Sequence, residues 1–164
     1  MRTFEEQLDL FKGVTMGTRS LTHVKSGRQT LVTIYRQMDG YPTGLGEELR
    51  EFLQGAKLVN GLPVNPAGKP AGKVFNGMPD LAAFLVEHLK DGQSGGVYIY
   101  PPNSRGCGEE YIYTVSDENG EIWLEVSVPS KHILFHGPVG MFKANRIEEL
   151  YSRFLEAGEP RDKA

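Results

Sequence analysis

The chain has 164 residues, with 18 Lys and Arg against 21 Asp and Glu and a formal net charge of −3. That length suits one ordinary domain, large enough to bury roughly two-thirds of the surface its unfolded form exposes. Basic residues are scattered among acids rather than massed as a stripe, which excludes a general affinity for duplex nucleic acid while leaving room for a local anion site.

No run approaches the roughly 20 apolar residues that a membrane span requires, so no membrane partner is expected. The single Cys107 cannot close an intrachain disulfide, and no apolar signal-like start is present, which points to a reducing cytoplasm. Twenty glycines and ten prolines, with 10% aromatic residues, predict a loop-rich domain containing β-structure.

Residues 1–15 read as an N-terminal helical extension. Phe4, Leu8 and Phe11 recur at helical spacing and Gly13 closes the run. Met16 then opens a second plausible start, so the extension either packs on the domain or docks on a partner subunit. Residues 16–158 form a single α+β domain in this reading, and 159–164 a polar tail.

From Thr18 to Gln37 the alternation predicts a β-hairpin turning at Ser26 and Gly27, which sets Leu21 opposite Val32. Arg19, Leu21, His23, Val32, Ile34 and Arg36 then share a face, and Arg19 and Arg36 meet at its open end. A longer turn would slip the register and separate them.

A helix is predicted after Thr43, with the Thr43 hydroxyl as cap and Leu45, Leu49, Phe52 and Leu53 as its buried stripe. Leu58 to Val74 is rich in Pro, Gly and Asn and reads as a long surface loop. A second helix spans Pro79 to Leu89, with Pro79 at the first helical position and Leu81, Phe84, Leu85, His88 and Leu89 on one face.

Strands are then predicted at Gly96 to Tyr100, Glu110 to Ser116, Glu121 to Val128 and around Ile133 to Phe135. The Asn119-Gly120 pair sets a tight turn that places Tyr111, Tyr113, Val115, Ile122, Leu124, Val126 and Val128 on one apolar face. A last helix near Arg146 to Glu156 has Asn145 as cap, Glu148 three residues on, and Ile147, Leu150, Tyr151, Phe154 and Leu155 facing inward. This order predicts an α+β fold, a mostly antiparallel β-sheet with helices packed against it.

The blocks MGTRSLTHV, YRQMDGYPTGLGEEL, VFNGM and GEEYIYTV resemble those of a family of small bacterial and phage proteins that carry MGTRSLT and a YRQ-x-DGYPTG-x-G block. The resemblance covers residues 16–130. It implies a small soluble protein often carried on mobile DNA and brings no catalytic residue with it; residues 1–15 depart from the pattern.

Two loops carry candidate chemistry. At the strand-loop-helix junction, Arg19, Arg36, Asp39, Tyr41, Thr43 and Gly44 could hold an anion on free helix-start N–H groups. The competing reading is a salt bridge and a turn, since Asp39 can pair with either arginine and Glu47 and Glu48 already supply negative charge. No Lys-Ser or Lys-Thr follows the glycines, so it is not a Walker loop.

In YIYPPNSRGCGEEYIYTV, Tyr98, Arg105 and Glu110 could stack and hydrogen-bond a base or ribose; cross-strand tyrosine packing is the plainer alternative. If both loops lie at one end of the sheet, a composite pocket results. The histidines show no metal-like clustering, Cys107 lacks a nearby histidine in sequence, and no cofactor motif is present.

The function expected is therefore recognition or sequestration of a small anionic, nucleotide-like ligand without catalysis. Arg19 and Arg36 would neutralise charge, Asp39 and Glu110 read hydroxyls, and Tyr41 and Tyr98 stack. A protein-interaction module, self-associating or inhibiting a host protein, is the alternative, and a nucleotide hydrolase the third.

Overall fold

The structure is a computed structural model that describes residues 17–61 and 72–158; the helical extension at 1–15, the polar tail and the middle of the Leu58 to Val74 loop lie outside the described residues. Among the described residues there are eight strands: β1 Ser20–Ser26, β2 Gln29–Arg36, β3 Lys57–Val59, β4 Val74–Asn76, β5 Val97–Tyr100, β6 Tyr111–Glu118, β7 Glu121–Ser127 and β8 Ile133–Pro138. A π-helical turn at Pro42–Gly46 runs into helix α1, Glu47–Leu53; α2 spans Gly77–Lys90 and α3 Ala144–Glu156.

Six strands form one sheet in the order β5-β2-β1-β6-β7-β8. Every neighbouring pair is antiparallel except β1 and β6, which run parallel. β3 and β4 make a small parallel pair of their own. The fold is α+β, with a mostly antiparallel sheet, as the element order predicts.

The β6-β7 hairpin follows from its turn. Asn119 and Gly120 both take positive φ, 52° and 79°, the conformation a two-residue turn of this hand demands, and Glu118 faces Glu121. Tyr113 then faces Val126 and Val115 faces Leu124, and the predicted apolar face is buried in the core from Tyr111 to Val128. Leu45, Leu49 and Leu53 of the first helical segment and Leu81, Leu85 and Leu89 of α2 cover that face.

The β1-β2 hairpin differs from expectation. Its turn is Gly27-Arg28, with Ser26 paired to Gln29, and a bulge after Val24 shifts the register so that Leu21 faces Tyr35. The displacement is odd, and so it flips β1 relative to β2. Ser20, which alternates with Arg19, pairs with Arg36; the two arginines therefore lie on opposite faces of the sheet.

Both faces of this hairpin are buried. Val24 and Ile34 face the helices, whereas Leu21, His23, Thr33 and Tyr35 lie beneath the 101–110 loop. Asn103 pins that loop down: its side-chain oxygen accepts from Thr30 at 2.5 Å and its N–H donates to Thr33 Oγ1 at 3.0 Å.

Helix ends depart from prediction in an instructive way. Thr43 caps nothing of its own; its N–H and hydroxyl donate to Glu148 Oε1 of α3, at 2.8 and 2.6 Å. Glu148 is thus not half of a capping box, and Asn145 is not the cap, because α3 begins at Ala144 after Lys143. Pro79 is the third helical residue of α2, not the first. Phe84, Leu150 and Leu155 were expected inward but are exposed, and His88 is turned towards Glu48, 3.5 Å away.

Candidate functional site

The two loops of the expected composite pocket lie on opposite faces of the sheet. The chain after β2 turns towards the helices: the Tyr113 hydroxyl donates to the buried Gly40 carbonyl at 2.7 Å, and Leu45 N–H bonds to the Asp39 carbonyl. The 101–110 loop instead crosses the helix-free face and meets the first loop only at the sheet end, where Glu110 N–H bonds to Arg19 O and Gly40 N–H to Thr18 O.

Each junction residue has a structural task. Arg36 donates through Nε to Met38 O at 2.8 Å and through its terminal nitrogen to Glu48 at 2.5 Å, so its charge is met by Glu48 rather than Asp39. Asp39 adopts φ 56° and its carboxylate lies 3.4 Å from the exposed Tyr41 hydroxyl. A Cβ on Gly44 would overlap the Asp39 carbonyl, and one on Gly46 would sit 2.8 Å from Phe142 Cζ, so these glycines serve close packing.

The anion expected at this helix start is a side chain of the protein itself, Glu148. The hollow beside Arg36, ≈ 430 Å³, also contains Lys90, but the Lys90 ammonium donates to the carbonyls of Gly95 and Val97. A second hollow, ≈ 570 Å³, is lined by Thr43, Glu47, Arg50, Lys143, Asn145 and Arg146. There Glu148 holds Thr43 and Glu47 holds Arg50.

On the helix-free face, Tyr35 stacks on Tyr100 with centroids 4.8 Å apart and tilts against Tyr98 at 6.1 Å. This is the cross-strand packing of the plainer reading, and Tyr111 and Tyr113 take no part, since they face the core. Arg19 lies against Gly108. The Cys107 thiol is pushed up by burial and by Glu109, away from nucleophilic character. Buried Glu109 accepts the N–H groups of Gly106 and Cys107 at 2.9 and 2.6 Å, closing the loop on itself.

One site on this face was not legible in the sequence. His23, Thr114, Glu125 and His136 stand in register on four adjacent strands, β1, β6, β7 and β8, forming a single polar row across the sheet. With Lys25, Asn103, Arg105, Asp117 and Glu118 they line a cleft of ≈ 270 Å³, the most enclosed of these hollows.

His23 is buried and its Nδ1 lies 2.8 Å from Thr33 Oγ1. Burial lowers its pKa, and Arg105 and Lys25 lower it further, against a smaller opposing pull from Glu109. Glu125 holds His136 Nδ1 at 3.2 Å, and the Trp123 ring packs on His136 from the same strand face, 5.0 Å between centroids. Among the described residues, neither the Lys25 ammonium nor the Arg105 guanidinium has an ion-pair or hydrogen-bond partner.

No group of three or more His, Cys, Asp or Glu among the described residues is arranged to hold a metal ion, and no helix among them is long and apolar enough to cross a membrane. No protein family, curated protein or solved structure matches the chain.

Proposed function

We propose that the protein binds a small anionic, nucleotide-like ligand in the cleft over the helix-free face of the sheet. The observation that carries this reading is the convergence of Lys25 and Arg105, neither paired with a carboxylate, on a concave polar site whose lining also includes Asp117, Glu118 and Glu125. The junction arginine fails the same criterion, since Glu48 already neutralises Arg36.

In this arrangement the phosphate faces Arg105 and Lys25, where a planar guanidinium offers paired donors. Asn103 and Glu125 read hydroxyls, and His136, backed by the Trp123 ring, offers an aromatic face. The volume, ≈ 270 Å³, sits just under the range usual for ligand sites and suits a phosphorylated sugar or mononucleotide rather than a dinucleotide. The resemblance to phage-type proteins fits sequestration of such a ligand.

A thermal-shift screen with a nucleotide library tests the reading, because a ligand at about 100 times its dissociation constant stabilises by roughly 2.7 kcal/mol. Arg105→Ala should weaken any hit about tenfold or more, consistent with loss of a charge-assisted bond. A hit indifferent to Arg105→Ala and Lys25→Ala but lost in Arg36→Ala would return the site to the junction.

A hydrolytic reading has one point in its favour, the Glu125-His136 pair facing the same cleft. Product analysis of each hit separates turnover from binding.

A further inference from the structure

The surroundings of His23 fix where its ring proton sits. Nδ1 lies 2.8 Å from Thr33 Oγ1, and that oxygen already accepts the Asn103 N–H at 3.0 Å. Thr33 is 0% exposed, so its hydroxyl proton needs an acceptor within the protein, and among the described residues the one within reach is His23 Nδ1. Nδ1 therefore accepts, and the proton of the neutral ring stands on Nε2. Burial, then Arg105 and Lys25, lower the pKa of the ring, which keeps it in this neutral form near pH 7.

Nε2–H has no partner among the described residues. His23 is only 3% exposed, yet the one sealed side-chain polar atom without a partner among these residues is Ser20 Oγ. Nε2 is therefore not sealed in, and it opens on the cleft that His23 lines. A buried side chain thus gives one nitrogen to the fold and turns an unused donor towards the cleft.

We infer that the cleft recognises the terminal phosphate of a phosphomonoester, with His23 donating Nε2–H to one phosphate oxygen while Arg105 and Lys25 hold the other two. This rests on the cleft reading above and narrows it from an anionic ligand to a dianionic one. A phosphomonoester carries about −1.5 to −2 of charge at pH 7 on three free oxygens. The cleft answers with two cations that no carboxylate neutralises and one uncharged donor. A cyclic diester, with less charge and fewer free oxygens, would leave part of that set unmatched.

The acids of the cleft stand away from this end. Glu125 is two strands from His23 along the polar row, roughly 10 Å at the usual strand spacing, and is engaged with His136. Asp117 and Glu118 lie three and four residues beyond Thr114 along β6, roughly 10 to 13 Å. Arg105 is carried by the loop that Asn103 pins to Thr30 and Thr33, so it and His23 are held by the same contacts.

The full chain labelled with nitrogen-15 tests this through long-range proton–nitrogen spectra of the imidazoles, the His23 signals being those lost in His23→Gln. The free protein at pH 7.5 should show His23 protonated on Nε2 alone. Saturation with ribonucleoside 5′-monophosphates or inorganic phosphate should move the Nε2 resonance and leave Nδ1 unprotonated. Each monophosphate should bind about tenfold or more tightly than its 3′,5′-cyclic form.

A ring protonated on Nδ1, His23 resonances unmoved at saturation, or equal affinity for open and cyclic phosphates overturns the inference. A nucleotide whose binding weakens in Arg105→Ala while the His23 ring stays unmoved overturns it alone and leaves the cleft reading standing. Failure of every nucleotide and of phosphate to bind overturns both.

Discussion

His23 concentrates the physics of the site in one side chain. It is buried, held by Thr33, and faced by Arg105 and Lys25 from the loop and from its own strand, with Glu109 opposing them. Its folded pKa therefore lies below the ordinary 6.5. The stability this gives is fully present above 6.5 and is lost as pH falls from there through the depressed folded value, because the unfolded imidazole takes the proton more readily. Urea unfolding followed from pH 7.5 to 5 should show the loss in the wild type and a flatter profile in His23→Gln. Parallel profiles would mean that other groups carry the acid sensitivity.

Among the elements, α3 and the turn before α1 are tied by a device that local pattern does not reveal. Glu148 serves the start of a helix more than a hundred residues earlier, accepting both the N–H and the hydroxyl of Thr43. Glu148→Ala should cost about 1 kcal/mol, the usual worth of a helix cap, in chemical denaturation. Thr43→Ala should add little to it in the double variant, since both remove the same contact; simple additivity would argue that the two act independently.

The elements that were legible had agreeing local signals. In the β6-β7 hairpin the Asn-Gly turn, strict alternation and a single buried face all specify one register. The β1-β2 hairpin was not legible, because helices bury one face and the 101–110 loop the other. Leu21 and His23 are then as buried as Val24 and Ile34, and alternation cannot say which side is which. A bulge after Val24 completes the reversal.

The cleft was missed for a related reason. Its row takes one residue from each of four strands, and His23, Thr114, Glu125 and His136 each look, in their own segment, like an ordinary position on a strand. Arg105 was legible as a loop residue able to stack on or hydrogen-bond a base or ribose. Its companions were visible only once β1 lay beside β6.

At the scale of the whole molecule, that parallel pairing of β1 with β6 is the seam between two blocks, β5-β2-β1 and β6-β7-β8. Each block contains a hairpin closed by a short turn, but the seam joins positions such as Ser20 and Tyr111, with both central helices in the intervening chain. Closing so long a loop carries its entropic cost before any seam contact repays it. The two hairpins should therefore acquire amide protection early in refolding and the β1-β6 hydrogen bonds last, as read by pulse-labelled hydrogen exchange; simultaneous protection would refute this order. Because His23 and Thr114 face each other across the seam, the cleft over them would be the last part of the protein to come into being, absent from any partly folded form.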